Sequence, residues 1–253
     1  MLLPPKDVAL LFRLHRSLMF FVNRRLGVLP ESPANPDAYS SLSPSTRIKV
    51  HNALLKRMDL IQSFVEENPD SFSRAELDIV HSWQHLVHGK FIILRDLAKY
   101  TVFLSSEAPP VAYGVLELTQ SFDELIGPNL PVMVETVLLP FRDHIVYDST
   151  LHVYRISFGP GVRGTFNRDF KEAKERHGVV TALPMSDTSM PAKDPKTNPV
   201  AKQRSKHGAS QSPDVDEFIL DLRTAPREIQ EIAFKKGLIP YIPTDCRRGE
   251  QAK

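Results

Sequence analysis

The sequence predicts an α+β fold in which a helical N-terminal part packs on a small, mostly antiparallel sheet. Apolar residues recur at helical spacing through the first third of the 253-residue chain. After residue 88, short runs rich in β-branched and aromatic residues follow one another with brief polar connections. Because these runs do not alternate regularly with helices, a doubly wound parallel sheet is not indicated.

Three helices are expected before residue 88, and together they form the predicted helical part, residues 1–88. The first covers residues 6–26, where leucines, a phenylalanine and a valine form one apolar stripe. The second runs from a serine cap, at Ser43 or Ser45, to about Asn68. The third contains the stretch RAELDIVHSWQHLV, whose apolar face carries isoleucine, valine, tryptophan and leucine.

The sheet part is predicted over residues 89–184 and is expected to form one globular unit with the helices. KFIILRDL and KYTVFLSS read as a hairpin, because only a very short connection separates them. The further predicted strands are VAYGVLELT, VMVETVLLPF, HIVY and LHVYRISF, with VVTALP as a last one. Two helices are expected among them, SFDELIG and TFNRDFKEAKERHG, the second capped by Thr165 or Asn167 and ended by Gly178.

Beyond the sheet part the composition changes, and two further segments are predicted. Residues 185–212 contain mostly serine, lysine, proline, threonine and glutamine, so we expect a disordered linker. Its five basic and two acidic residues account for the net charge of +2 of the whole chain. Residues 213–253 regain apolar side chains and are expected to form a docking arm.

A glycine-rich turn, SFGPGVRGTF, has the spacing of a dinucleotide-binding fingerprint. Gly159, Gly161 and Gly164 spell G-x-G-x-x-G between a predicted strand and a predicted helix. The preceding strand is amphipathic rather than apolar throughout, and no further βαβ unit follows. We therefore expect a strand-to-helix turn that uses glycine for positive φ angles, and we expect no cofactor.

The same turn carries an alternative function as an anion site. Free N–H groups at a helix N-terminus attract phosphate or carboxylate groups, and Arg163 and Arg168 lie close by in sequence. A phosphate-ligand binder, or an enzyme acting on such a ligand, would use residues 157–168. Whether the protein is an enzyme stays open at this point.

Four side chains in the third predicted helix have a spacing that suggests a metal site. Asp78, His81, His85 and His88 lie on one side of that helix, and histidines four residues apart are a known ligand pair. The zincin motif H-E-x-x-H is not met, because Ser82 stands at the position of its glutamate. The alternative interpretation is a polar helix face.

Other reactive residues form no complete motif. Cys246 lies beside two arginines that would lower the pKa of its thiol, but no base is near it in sequence. Glu117, Glu135 and Asp143 are carboxylates on predicted strands or turns, and an acid–base pair among them is possible without being indicated. A single cysteine excludes a disulfide within the chain.

Part of the sheet region resembles a set of uncharacterised bacterial proteins. The stretches FIILRDLAKYTVFLSS, VAYGVLELTQSFDELIG, VLLPFRDHIVYD, ISFGPGVRGTF and EAKERHGVVTALP occur in the same order in that set, over residues 83–184. The resemblance implies one bacterial fold unit, and it brings no activity and no site residue with it.

These observations together predict a cytoplasmic, non-catalytic module that binds a protein partner. The prediction depends on incomplete catalytic motifs and on the apolar arm at residues 213–253. A small anionic ligand at residues 157–168 is the first alternative. Weak nucleic-acid binding through the basic residues 185–212 is the second, although a folded nucleic-acid domain is usually basic throughout. No membrane association is expected, because no apolar run approaches the ~20 residues of a span.

Overall fold

A computed structural model describes residues 1–154, 156–185 and 217–221 of the chain. The helices are α1 Pro5–Leu26, α2 Pro36–Ser40, α3 Pro44–Lys56, α4 Asp59–Glu67, α5 Arg74–Ser82, α6 Phe122–Ile126 and α7 Pro160–His177, with a 3₁₀ turn at Trp83–His85. The strands are β1 Val87–Asp96, β2 Thr101–Ser105, β3 Ala112–Leu116, β4 Val132–Phe141, β5 His144–Tyr147, β6 Thr150–Tyr154 and β7 Glu217–Asp221. This arrangement confirms the predicted α+β class and the mostly antiparallel sheet.

Five of the strands close into a ring. The order is β1-β2-β3-β5-β4, and β1 also pairs with β4, which joins the two ends. All neighbours in the ring are antiparallel except β3 and β5, which run parallel. Strand β6 pairs with the part of β4 that β5 leaves free, and β7 pairs with β6. The sheet is therefore a small barrel with a two-stranded extension.

Local signals in the sequence determine where the helices begin and end. Ser43 caps α3 by accepting a hydrogen bond from the Thr46 N–H at 3.3 Å, and Pro44 occupies the first turn. Helix α5 begins with a capping box between Ser73 and Glu76. Helix α1 ends at Gly27, whose left-handed φ of 58° suits glycine.

The helices before β1 pack on the barrel through one continuous apolar core. This core includes residues of α1, α3, α4 and α5 together with residues of β4 and β5. Trp83 belongs to this core, is 1% exposed, and donates from Nε1 to the Pro140 carbonyl of β4 at 3.1 Å. None of the described helices is long and apolar enough to cross a membrane.

Helix α7 covers a different face of the barrel. A second apolar cluster joins side chains of β1, β2 and β3 to Ala173 of α7. Phe158, Phe166 and Phe170 pack against the same cluster from the α7 side. The outer surface of the β1–β2–β3 meander is therefore covered by this helix, while the first helical layer lies elsewhere on the barrel.

Three predicted helix boundaries were wrong. The second predicted helix is two helices, because Arg57 adopts a non-helical conformation (φ −137°) and separates α3 from α4. The third ends at Ser82, so that Leu86 lies outside the helix. Helix α7 begins at Pro160, because proline at N1 has a suitable φ and needs no N–H partner.

The predicted last strand and C-terminal segments have mixed outcomes. Within residues 179–184, Val180 makes a single parallel bridge to Tyr113 of β3 rather than a full strand. The predicted linker 185–212 lies outside the described residues except for its first residue. Of the predicted arm 213–253, the structure describes only β7, which pairs with the barrel's own extension.

Gly114 of β3 provides a test of packing on the barrel. A Cβ added there would lie 2.8 Å from Cγ of Tyr100, whose ring packs directly on the glycine. We expect Gly114→Ala to lower the free energy of unfolding by about 1–3 kcal/mol, because the ring must move. Chemical denaturation measures the change.

The control for this prediction is Gly164→Ala in α7, where a Cβ would have no atom within 4 Å. That change is expected to raise stability by about 0.5–1 kcal/mol, since alanine is the better helix former. In a Tyr100→Ala background the cost of Gly114→Ala should largely disappear. A cost that persists there would show that contact with the ring is not its cause.

Candidate functional site

A groove lies between α7, the β2–β3 connection and the start of β4. It encloses about 390 Å³, within the usual range of ligand sites. Its apolar lining residues are Ile92, Leu104, Ala108, Pro109, Pro110, Met133, Phe158 and Phe166. The rings of Phe158 and Phe166 meet edge to face with their centres 4.9 Å apart and form an aromatic wall of the groove.

Two arginines hold α7 in the position that forms the groove. Arg95 of β1 donates a hydrogen bond to Asn167, and its guanidinium carbon lies 4.8 Å from the centre of the Phe170 ring. Arg163 donates to the backbone carbonyls of Phe158 at 3.0 Å and Leu130 at 3.2 Å. These contacts attach α7 to β1 through Arg95 and to the segment before β4 through Arg163.

The charged residues that line the groove are all acidic. They are Glu107 in the β2–β3 connection and Asp169 and Glu172 on α7. Glu172 also forms an ion pair with Arg176 at 2.7 Å, one turn further along the helix. An apolar floor with carboxylates around it suits a ligand that has both apolar groups and positive charge.

The glycine-rich turn has a different geometry from the one expected. Gly159 is the N-cap of α7 with a φ of −69°, and Gly161 and Gly164 lie within the helix. The expectation of positive φ at these glycines was therefore wrong. Arg163 is engaged by two carbonyls, and Arg168 lies 3.5 Å from the Thr165 hydroxyl. The structure thus places the three glycines and both arginines in the first half of α7 or at its N-cap, and Arg163 is directed at backbone oxygen atoms.

The four residues of the predicted metal site are divided among three elements. Asp78 pairs with Arg74 at 2.9 Å, and His81 follows it on α5. His85 ends the 3₁₀ turn, and His88 stands on β1, where its Nε2 lies 3.5 Å from Glu135. No group of three or more metal-ligating side chains is found in the described part of the chain.

The predicted carboxylates are also separated, and each has its own partners. Glu117 is buried, accepts from the Phe122 N–H at 3.1 Å and pairs with the α-amino group of Met1 at 3.0 Å. Glu135 accepts from the Tyr154 hydroxyl at 2.6 Å, and this bond, with nearby positive charge, lowers the pKa of Glu135. Cys246 lies outside the described residues.

A buried charged cluster connects the helical layer to the barrel, and the sequence did not indicate it. Nε2 of His51 on α3 lies 2.9 Å from Oδ2 of Asp148, whose side chain is 1% exposed. The other carboxylate oxygen accepts from the Thr150 N–H at 3.0 Å. Asp148 directly follows β5, and no local pattern indicated its role because its partner lies far away in sequence.

The protonation states of this pair depend on each other. Burial opposes charge on both groups, but the negative charge and hydrogen bond of Asp148 outweigh it and raise the pKa of His51. In the same way, burial is outweighed at Asp148, where His51 and the charge of His15 lower the pKa of the carboxyl. The pair is therefore ionic at mildly acidic pH, between the ordinary pKa values of an aspartate and a histidine, and we call it the ionic clamp.

Comparisons with known proteins identify no family for this chain. No family model, no curated protein and no solved structure matches it. The resemblance of residues 83–184 to uncharacterised bacterial proteins stays an expectation. The geometry of the described residues is thus the basis for a functional proposal.

Proposed function

We propose that the protein is a non-catalytic interaction module that binds a basic, apolar segment of a partner protein in the groove beside α7. The observation that carries this proposal is an apolar floor combined with lining charges of one sign. Lysine and arginine side chains on a bound segment would meet Glu107, Asp169 and Glu172. Their apolar neighbours would contact the aromatic wall formed by Phe158 and Phe166.

The rigid setting of the groove supports a binding role. Glu107 lies on the connection between two paired strands, and α7 is fixed by Arg95 and Arg163. A surface that keeps its shape loses little conformational entropy when it binds. We therefore expect the bound segment of the partner to become ordered on binding, while the groove keeps its conformation.

The two alternatives from the sequence have less support. For an anionic ligand at residues 157–168, Arg163 would have to leave two backbone carbonyls. Nucleic acid is the other alternative, and five-stranded barrels of the OB type bind oligonucleotides on the face formed by their second and third strands. Here α7 covers that face and the groove beside it is acidic, which repels phosphate. Binding through residues 185–212 concerns a part of the chain outside the described residues and stays a prediction.

A peptide selection tests the proposal. Short random peptides displayed on phage are selected against the full chain, and the recovered sequences are expected to combine lysine or arginine with apolar residues. Their affinity is then measured for a variant with Glu107→Gln, Asp169→Asn and Glu172→Gln. Loss of three surface charge contacts is expected to weaken binding about tenfold.

The matched control removes the same number of exposed carboxylates elsewhere, through Glu31→Gln, Glu66→Gln and Asp123→Asn. This control should bind the selected peptides like the unchanged chain. Added salt should reduce the affinity of the peptides for the control and for the unchanged chain. Selected peptides without basic residues, or equal affinity for the two triple variants, would contradict the proposal.

A further inference from the structure

The extension of the barrel has an edge that accepts a strand from a distant part of the sequence. The ring of β1 to β5 closes without β6, which is attached to β4 over three residue pairs. The other edge of β6 pairs with β7 over five residues, from Thr150 opposite Asp221 to Tyr154 opposite Glu217. Strand β7 is thus an addition to a barrel that is already closed.

The connection to β7 does not restrict it to this position. Residues 186–216 separate β7 from the preceding described residue and can span on the order of 100 Å when extended. A folded domain of the size of residues 1–185 has a radius of gyration of only about 16 Å. Within the described residues, β7 is held by its ladder with β6, which an unconnected strand can form equally well.

We propose that the edge of β6 is a strand-acceptor site for an extended segment of another protein, and that β7 is its resident competitor. The sequence of the resident strand, EFILD, indicates the class of partner: three apolar residues between two acidic ones. This site is separate from the groove beside α7 and does not depend on it.

One cation near β6, Lys90, favours an acidic residue at one end of the added strand, where it acts against the charge of Glu135, which accepts from the Tyr154 hydroxyl. Lys90 of β1 places its ammonium group 5.0 Å from the centre of the Tyr154 ring. In an antiparallel pair, residues directly opposite each other point to the same face. An acidic residue opposite Tyr154, the register position that Glu217 occupies in β7, is therefore expected on the face that carries Lys90. A slip of one residue would move it to the other face, so the charge also sets the register.

Competition between the resident and an incoming strand gives a measurable effect. A tethered strand has an effective concentration on the order of 1 mM. If the strand binds its site with a dissociation constant of about 100 µM, the tether weakens binding of an external strand by about tenfold. Disabling β7 should therefore expose the site to added peptide.

The test uses a labelled peptide with the sequence of residues 214–223, DVDEFILDLR, and the full chain. A variant with Phe218→Pro and Ile219→Pro cannot form the β7 ladder, because at least one of the two lost N–H groups faces β6. This variant is expected to bind the peptide about tenfold more tightly than the unchanged chain. A control with Ala209→Pro, outside the strand, should bind like the unchanged chain.

Two further measurements make the result decisive. A peptide with lysine at the positions of Glu217 and Asp221 should bind the double-proline variant several-fold more weakly. The thermal unfolding of that variant should stay close to that of the control, since β7 lies outside the closed ring. Equal peptide binding by all three proteins, or none by a folded double-proline variant, would overturn the strand-acceptor proposal and leave the groove proposal unaffected.

Discussion

Replacing Asp148 with alanine is expected to lower the free energy of unfolding by about 3–5 kcal/mol. The substitution leaves His51 without its ionic partner in a place where water has little access. Arg47 adds positive charge to the same region, so the loss of the carboxylate also removes its compensation. Chemical denaturation at pH 6 measures the change.

The matched control is Asp143→Ala in the exposed β4–β5 turn, five residues earlier, whose effect should stay within about 0.5 kcal/mol.

The pH dependence of the destabilisation gives a second check. The contribution of His51 is complete below its unfolded pKa of about 6.5 and is lost as pH rises through its raised folded pKa. That of Asp148 is complete above about pH 4 and is lost as pH falls through its lowered folded pKa. The difference between parent and Asp148→Ala should thus be largest between about pH 4 and 6.5. A difference that does not vary with pH would show that the clamp is not ionic.

Trp83→Ala is expected to destabilise the protein by a similar amount, about 3–5 kcal/mol. The side chain fills the contact between α5 and β4 and is almost completely buried. Its removal leaves a cavity between two rigid layers that have little freedom to close it. Thermal or chemical unfolding of the variant, compared with the parent, measures the loss.

Trp83→Phe separates packing from hydrogen bonding at the same position. Phenylalanine retains much of the apolar contact but leaves the Pro140 carbonyl without its indole donor. The expected cost is about 1–3 kcal/mol, smaller than that of alanine. Equal destabilisation by both substitutions would mean that the hydrogen bond, and not the packing, supplies most of the contribution of Trp83.

The sequence predicted those parts of the fold that depend on local patterns. The stripe in α1, the serine cap of α3 and the short β-rich runs are signals within a few residues of each other. The break at Arg57 was missed because neither glycine nor proline marks it. The start of α7 was missed although Pro160 is a typical N1 residue, because the glycines there suggested a loop.

The closed ring and the sites could not be predicted in the same way. Closure depends on the pairing of β1 with β4, and no local feature of either strand identifies its partner. The groove collects side chains from four segments, including Glu107, Met133 and Phe166, none of which belongs to a motif. His51 and Asp148 each look ordinary in sequence, and only the packing of α3 against the end of β5 brings them together.

The contact between the helical layer and the barrel has a consequence for synthesis on the ribosome. Helices α1 to α5 leave the ribosome first, yet their partners Pro140 and Asp148 are translated later. Until then the part of the helices' apolar surface that packs on the barrel has no partner, although the helices can already pack on one another, and such exposed surface is typical of chaperone substrates. Slowing translation just before β4 should prolong this exposure, so the yield of folded protein in the cell should depend on chaperones more than its final stability suggests.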